Sequence, residues 1–367
     1  MFKKYELKNY RFNLVFLLII LTGIGVSVVG SALESVQKKQ FIGMILGLVI
    51  MVIVSLLDYS YILRFYWIMY AISVILLLAV QFFGVSVNGS KRWLNLGYQF
   101  QPSEICKILL ILFFARYFMI HKDDLNTFRR LCITAVLMLI PVGLIEKQPD
   151  LSTTITVTFM LCMMLYVSGL SYKLIGAALA IIIPCSIVFL TIVIQPDQTL
   201  LEDYQRNRIM AWLEPEKYQN SIGYQQSNSI MAIGSGQLYG KGLNNNSITS
   251  VKNGNFIAEP ETDFIFAIVG EELGFVGSVI VIGLIGLIVF TCIMIGQRAK
   301  DRAGMLICVG MGSLVGFQSF VNIGVASGVL PNTGIPLPFI SYGLTSLVSM
   351  YIGMGFVLNV GLQPKKY

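Results

Sequence analysis

From Ala303 to Pro364 the chain carries no charged side chain. A bilayer-crossing helix needs about 20 apolar residues, so this stretch is too long for one crossing and suited to two. Pro331, Pro336 and Pro338, with Asn332 and Gly334 between them, supply the break, because proline removes amide donors and favours turns. Further runs nearly free of charge occupy residues 12–33, 40–57, 65–90, 105–115, 131–145, 151–172, 174–196 and 273–297. Together they predict ten transmembrane helices. With 56% hydrophobic and 12% charged residues and a mean hydropathy of +0.75, the apolar content exceeds what one soluble core could use. Lysine and arginine orient the chain. With a cytoplasmic N-terminus, the inside segments carry fourteen of them and the short outer loops five, as the positive-inside rule requires. The expected architecture is an all-α polytopic membrane protein, a single domain over residues 1–367 with both termini cytoplasmic. One large extracytoplasmic loop, 195–262, lies between the seventh and eighth spans.

The formal charge of +7 is spread over these turns, so it reads as a topology signal and not as a nucleic-acid surface. All six cysteines fall in or beside apolar runs, where they act as small packing groups. The single histidine, His121, falls in a cytoplasmic turn. That scarcity excludes serine–histidine triads and histidine-ligated metals on the outer face.

Chemistry concentrates in the stretch AEPETDFIFAIVGEELGF, residues 258–275, where Glu259, Glu261 and Asp263 lead into an apolar run that contains Glu271 and Glu272. On a helix starting near Asp263, Gly270, Gly274 and Gly277 share an arc of about 60° with it, a face suited to close helix packing. Two readings stand side by side. Thr262 or Asp263 caps the helix, or Asp263 points into a cavity and is used, as intramembrane acids tend to be. A second cluster, NGSKRWLNLGYQFQPSEICK, puts Pro102 in a first helical turn with Glu104 and Lys107 at ion-pairing spacing. Arg92 and Trp93 are either interfacial anchors or groups that meet a phosphate and a sugar. Asp150 in EKQPDLSTT reads foremost as a helix cap. In the long loop, YQRNRIMAWLEPEKY has the pattern of an amphipathic helix on the interface, and SNSIMAIGSGQLYGKGL that of a short helix ending in glycine turns.

The motifs KRWLNLGYQFQPSEICK, QPDLSTT, YQQSNSIMAIGSGQLYGKGL, PETDFIFAIVGEELGF and LPNTGIPLPFISYG, taken in order, resemble the SEDS family (shape, elongation, division and sporulation), its RodA branch most. The resemblance implies a peptidoglycan glycosyltransferase that polymerises lipid II at the outer face of the bacterial cytoplasmic membrane. It further implies a class B penicillin-binding protein as partner. It maps the family's essential aspartate onto Asp263 and its tryptophan onto Trp93, and it brings Glu104 and Lys107 as cavity residues and Gln225 and Gln226 as substrate contacts. Arg92 and Asp150 complete the expected site. Ser152, Asn332 and Leu344 depart from the family pattern without touching the expected base. On this view Asp263 takes the proton from an acceptor hydroxyl in an inverting transfer, while Arg92, Lys107 or a divalent cation (magnesium or manganese) offsets the charge of the diphosphate. A lipid II flippase and a non-catalytic scaffold are the rival readings.

Overall fold

The computed structural model describes residues 9–87, 90–95, 97, 99–148, 150–195, 203–218, 223–244, 250 and 256–365. Of the long loop, residues 196–202, 219–222, 245–249 and 251–255 lie outside that set. The helices are α1 (Phe12–Ala32), α2 (Glu34–Leu56), α3 (Tyr59–Ile62) running through a 3-10 turn into α4 (Tyr66–Phe83), α5 (Pro102–Ile120), α6 (Phe128–Glu146), α7 (Leu151–Val167) and α8 (Tyr172–Ile194). The loop contributes α9 (Asp203–Leu213), the single turn α10 (Pro215–Tyr218) and α11 (Tyr224–Ser235), and the chain ends with α12 (Ile265–Gln297), α13 (Arg302–Ala326) and α14 (Leu344–Gly361). Among the described residues seven helical stretches are long and apolar enough to cross a membrane: α1, α2, α3 through α4, α6, α12, α13 and α14.

The long uncharged stretch resolves as expected into two helices, α13 and α14, joined by the proline-rich loop. These are the helices most enclosed by protein, 67% and 72% buried over their apolar windows against 17% for α6 and 28% for α2. Enclosure explains their composition. Gln318, Asn322 and Asn359 are buried there, and each donates an amide hydrogen bond to a backbone carbonyl, of Pro336, Asp263 and Ser55 respectively. Facing lipid, such groups would be costly; between helices they join elements.

The architecture is not purely helical. Described residues between 85 and 100, a stretch read as the end of an apolar run and a loop, form an antiparallel three-stranded sheet, β1 (Val85–Val87), β2 (Ser90–Asn95) and β3 (Gln99–Phe100). Gly84 ends α4 in an extended conformation, and the valines and Trp93 that follow suit a strand better than another helical turn.

α12 is interrupted at Gly274, whose φ of 67° and ψ of −163° leave the helical region. Asp263 precedes the helix, which begins at Ile265, so the helical arc expected to join Asp263 to Gly270, Gly274 and Gly277 does not form. The glycines serve another contact. A Cβ at Gly270 would strike Ile233, and one at Gly274 would strike the backbone of Tyr239 and Gly240, so the partner is the segment from α11 to Gly240. That segment also takes up the backbone groups around the break. Phe275 and Val276 donate to the carbonyls of Gln237 and Leu238 (2.8 and 3.1 Å), and Lys241 and Gly242 donate to those of Glu271 and Glu272 (2.9 and 3.0 Å). A broken helix survives in an apolar setting only when its freed backbone groups find partners of this kind.

Candidate active site

Asp263 sits where two chain segments interlock. The Asn322 side-chain amide, from α13, donates to the carbonyl of Asp263 (2.8 Å) and to that of Ile335 (2.6 Å). Ser341 Oγ donates to the carbonyl of Thr262 (2.6 Å), and the Tyr342 amide to that of Glu261 (2.9 Å). Ser152 Oγ of α7 donates to the carbonyl of Thr333. The loop between α13 and α14 is thereby pinned against residues 261–263 from three sides. Gly334, at φ 72°, lies directly against the carboxylate: a Cβ there would stand 3.0 Å from Asp263 Oδ2. The capping reading fails for both candidates, because Phe264 holds the N-cap position of α12 and no side chain caps it.

The Asp263 carboxylate makes no hydrogen bond or ion pair with any described residue, and the residue is only partly covered. Burial pushes its carboxyl up from 3.8 to about 6; Arg92 opposes the rise, Glu259 and Asp150 add to it, and Arg208 opposes it. Those four groups therefore share its surroundings. Asp150 caps α7 by accepting from the Thr153 amide (3.1 Å), as the sequence suggested, and also stands 3.7 Å from Arg92 Nη1. Arg92 and Trp93 are neighbours on β2, where the β1–β2 register shifts and leaves Arg92 as the extra residue of a bulge; Trp93 is half-buried and pairs with Val85.

Below this layer lies a fully buried one. Glu104 and Lys107 are each 2% exposed and meet at 2.8 Å, and Lys107 Nζ also donates to Gln318 Oε1 at 3.2 Å. Gln318 in turn donates to the Pro336 carbonyl (2.9 Å), so the pair supports the loop that carries Gly334. Gln226 donates to the carbonyls of Val325 and Leu330 (2.8 and 2.7 Å), tying α11 to the end of α13, while Gln225 beside it is half-buried. Glu271 and Glu272, also 2% exposed, belong to a different cluster: Lys241 Nζ donates to Glu271 (2.8 Å) and Ser31 Oγ to Glu272 (2.6 Å).

The structure thus brings Arg92 and Asp150 close enough for their charges to act on Asp263, and links it to Glu104 and Lys107 through Gln318 and the α13–α14 loop and to Gln226 through Leu330. Sequence reasoning passed over Arg208, Asn322, Gln318 and Gly334. Arg208 was assigned to the solvated face of an interfacial helix, yet α9 docks on protein: Met210 and Ala211 are buried and Trp212 Nε1 donates to the Gly328 carbonyl (3.2 Å). Among the described residues no three histidine, cysteine, aspartate or glutamate side chains gather as a metal-holding group.

These features define a multi-pass membrane protein with an acid held at a helix mouth, within reach of the charges of two arginines. The chain belongs to the FtsW/RodA/SpoVE family of cell cycle proteins, whose family model matches residues 7–366. It is 37% identical over 342 residues to the peptidoglycan glycosyltransferase MrdB of Escherichia coli K12, covering 92% of this chain and 88% of that protein. It is 31% identical over 383 residues to the probable peptidoglycan glycosyltransferase FtsW of Bacillus subtilis, covering 99% and 93%. Among solved structures it is similar to a chain of a peptidoglycan synthase complex that coordinates polymerization and crosslinking (TM-score 0.78, 29% identity, covering 96% of this chain and 97% of that one). It is also similar to the rod shape determining protein RodA of Thermus thermophilus (TM-score 0.70, 28% identity, 96% of each).

Proposed function

We propose that this protein is a peptidoglycan glycosyltransferase that polymerises lipid II, with Asp263 as its general base. The observation that carries the reading is a carboxylate with no partner among the described residues, raised to about 6 by burial and within reach of the charges of Arg92 and Arg208. Asp263 takes the proton of the acceptor sugar's hydroxyl as that oxygen bonds to the donor's anomeric carbon. The bond from that carbon to the diphosphate breaks, and configuration inverts. A diphosphate leaves as a stabilised anion, so it needs cations more than a proton. Arg92 and Arg208 are the cations whose charge reaches Asp263, whereas Lys107 is enclosed by Glu104 and Gln318 and acts at the floor of the site. Trp93, Asp150, Gln225 and Gln226 complete the substrate-binding set. We place a divalent cation only with the substrate, since magnesium is commonly held by one or two carboxylates plus substrate phosphates.

The same reading takes α5, α7 and α8 as the crossings that bring the count to ten, with both termini cytoplasmic and Asp263 at the outer face beside the long loop. The bias of fourteen basic residues against five supports that orientation. A class B penicillin-binding protein is the proposed partner, in keeping with the synthase complex to which this fold is similar. Purified protein, alone and with such a partner, is to be incubated with lipid II and the products resolved by size. Glycan strands from the wild type and none from Asp263→Asn support the reading. Strands from both remove Asp263 from the mechanism, and strands from neither preparation leave the flippase or scaffold reading in its place.

A further inference from the structure

The end of the bundle farthest from Asp263 carries a second concavity. Arg11 is the N-cap of α1 and Arg298 the C-cap of α12, and these two helices pack against each other. Between the start of one and the end of the other lies a cavity of about 260 Å³, walled by the two arginines, by the polar Asn13 and Thr291, and by the apolar Phe290, Met294 and Ile295. Neither arginine pairs with an acid among the described residues, and Arg11 Nε is buried without a hydrogen-bond partner. Two described acids at this end, Asp301 and Asp58, are committed elsewhere. Asp301 caps α13 at Gly304 (2.8 Å) and accepts from the Tyr59 hydroxyl (2.9 Å), and Asp58 accepts from the Ser60 amide (3.0 Å) and from Gln363 (3.1 Å).

A buried guanidinium nitrogen with no acceptor is costly, and two guanidiniums facing one cavity suit the oxygens of a phosphate. The surroundings narrow the choice further. Phe290 is 58% exposed, and Phe12 and Phe16 on α1 are 63% and 64% exposed, so the cavity opens onto an apolar surface shared by both helices. A free inorganic anion has no use for that surface, whereas acyl chains do. We propose that this cavity binds the headgroup of an anionic phospholipid, its phosphate between Arg11 and Arg298 and its acyl chains along Phe290, Phe16 and Phe12. Basic pockets between transmembrane helices recognise anionic headgroups in this way. The inference rests on the membrane-spanning fold and not on the glycosyl-transfer reading.

The test is native mass spectrometry and thermal shift on delipidated full-length protein, titrated with phosphatidylglycerol, phosphatidylcholine or inorganic phosphate. Phosphatidylglycerol is expected to bind about 30-fold more tightly than phosphatidylcholine, an advantage lost in the Arg11→Gln/Arg298→Gln double variant, while inorganic phosphate gives no shift. Asn13→Asp, a change at an exposed cavity position, sets an acid beside the arginines and is expected to weaken phosphatidylglycerol in the same direction if the double variant does not fold. Equal binding of the two lipids, or unchanged phosphatidylglycerol binding in Asn13→Asp or in a folded double variant, would overturn the proposal and leave two arginines snorkelling to the interface. A shift from inorganic phosphate equal to that from phosphatidylglycerol would overturn it in favour of a free-anion site.

Discussion

Asp263 and Glu271 lie within one short stretch of chain, and their surroundings differ in kind. Glu271 is 2% exposed and its carboxylate meets Lys241 at 2.8 Å; Glu272 beside it accepts from Ser31. Asp263 is partly open, its carboxylate has no hydrogen-bonding or ion-pairing partner among the described residues, and it lies against a glycine that leaves it room. An acid deep in a membrane protein is tolerated when a partner offsets its burial, and such an acid joins elements together. Glu271 and Glu272 do this where the long loop docks on the break in α12. A poorly partnered acid at a helix mouth is held ready for a proton instead. On the proposed reading these carboxylates divide the work: Asp263 is used in chemistry, and Glu271 and Glu272 keep the loop on the bundle.

The contrast is broken most severely at the floor of the site. Lys107→Met leaves Glu104 buried without its cation, and removing one member of a buried pair costs about 3–5 kcal/mol. A large fall in melting temperature is expected, with partial recovery in Lys107→Met/Glu104→Gln. A melting temperature equal to that of the wild type would show that the pair is not what holds the floor. Next comes Gly334→Ala, where a side chain at φ 72° costs about 1–2 kcal/mol and its Cβ crowds Asp263 Oδ2. Turnover is expected to fall much more than stability, since about 1 Å of misplacement at a reacting group can cost about 100-fold. Unchanged turnover would mean that the carboxylate is not held in place by this loop.

The mildest perturbation is pH. A general base must be ionised, so with the Asp263 carboxyl near 6 the polymerisation rate is expected to be level at neutral pH and to fall about tenfold per unit below pH 6. The stability effect has the opposite sense. The folded state keeps this proton up to about 6 while the unfolded chain loses it near 3.8, so the contribution of Asp263 to stability declines as pH rises through that window. Partial exposure keeps that contribution small. A rate that stays level down to pH 4 would contradict the assignment.

Most of the helical frame was legible because it follows from apolar run length and from the prolines that divide residues 303–364. So were the Asp150 cap and the Glu104–Lys107 pair, both local in sequence. What sequence could not show was long-range. Nothing near Asn322 announces that its amide bridges Asp263 and Ile335, and nothing near Arg208 announces its proximity to residue 263. Reading the wheel of α12 from Asp263 failed because the helix begins only at Ile265 and is broken at Gly274, a place the glycine itself marked. The strands at 85–100 were hidden by their apolar composition, which a helix end and a strand share.

The most direct measurement takes Asp263→Asn and Glu271→Gln through the same two assays, lipid II turnover and thermal unfolding at pH 7. Asp263→Asn is expected to lose turnover by about 100-fold or more while melting at or slightly above the wild-type temperature. Glu271→Gln is expected to keep turnover within the same order of magnitude and to melt lower. The opposite pattern, an active Asp263→Asn or an inactive but fully stable Glu271→Gln, would show that the proton is taken elsewhere.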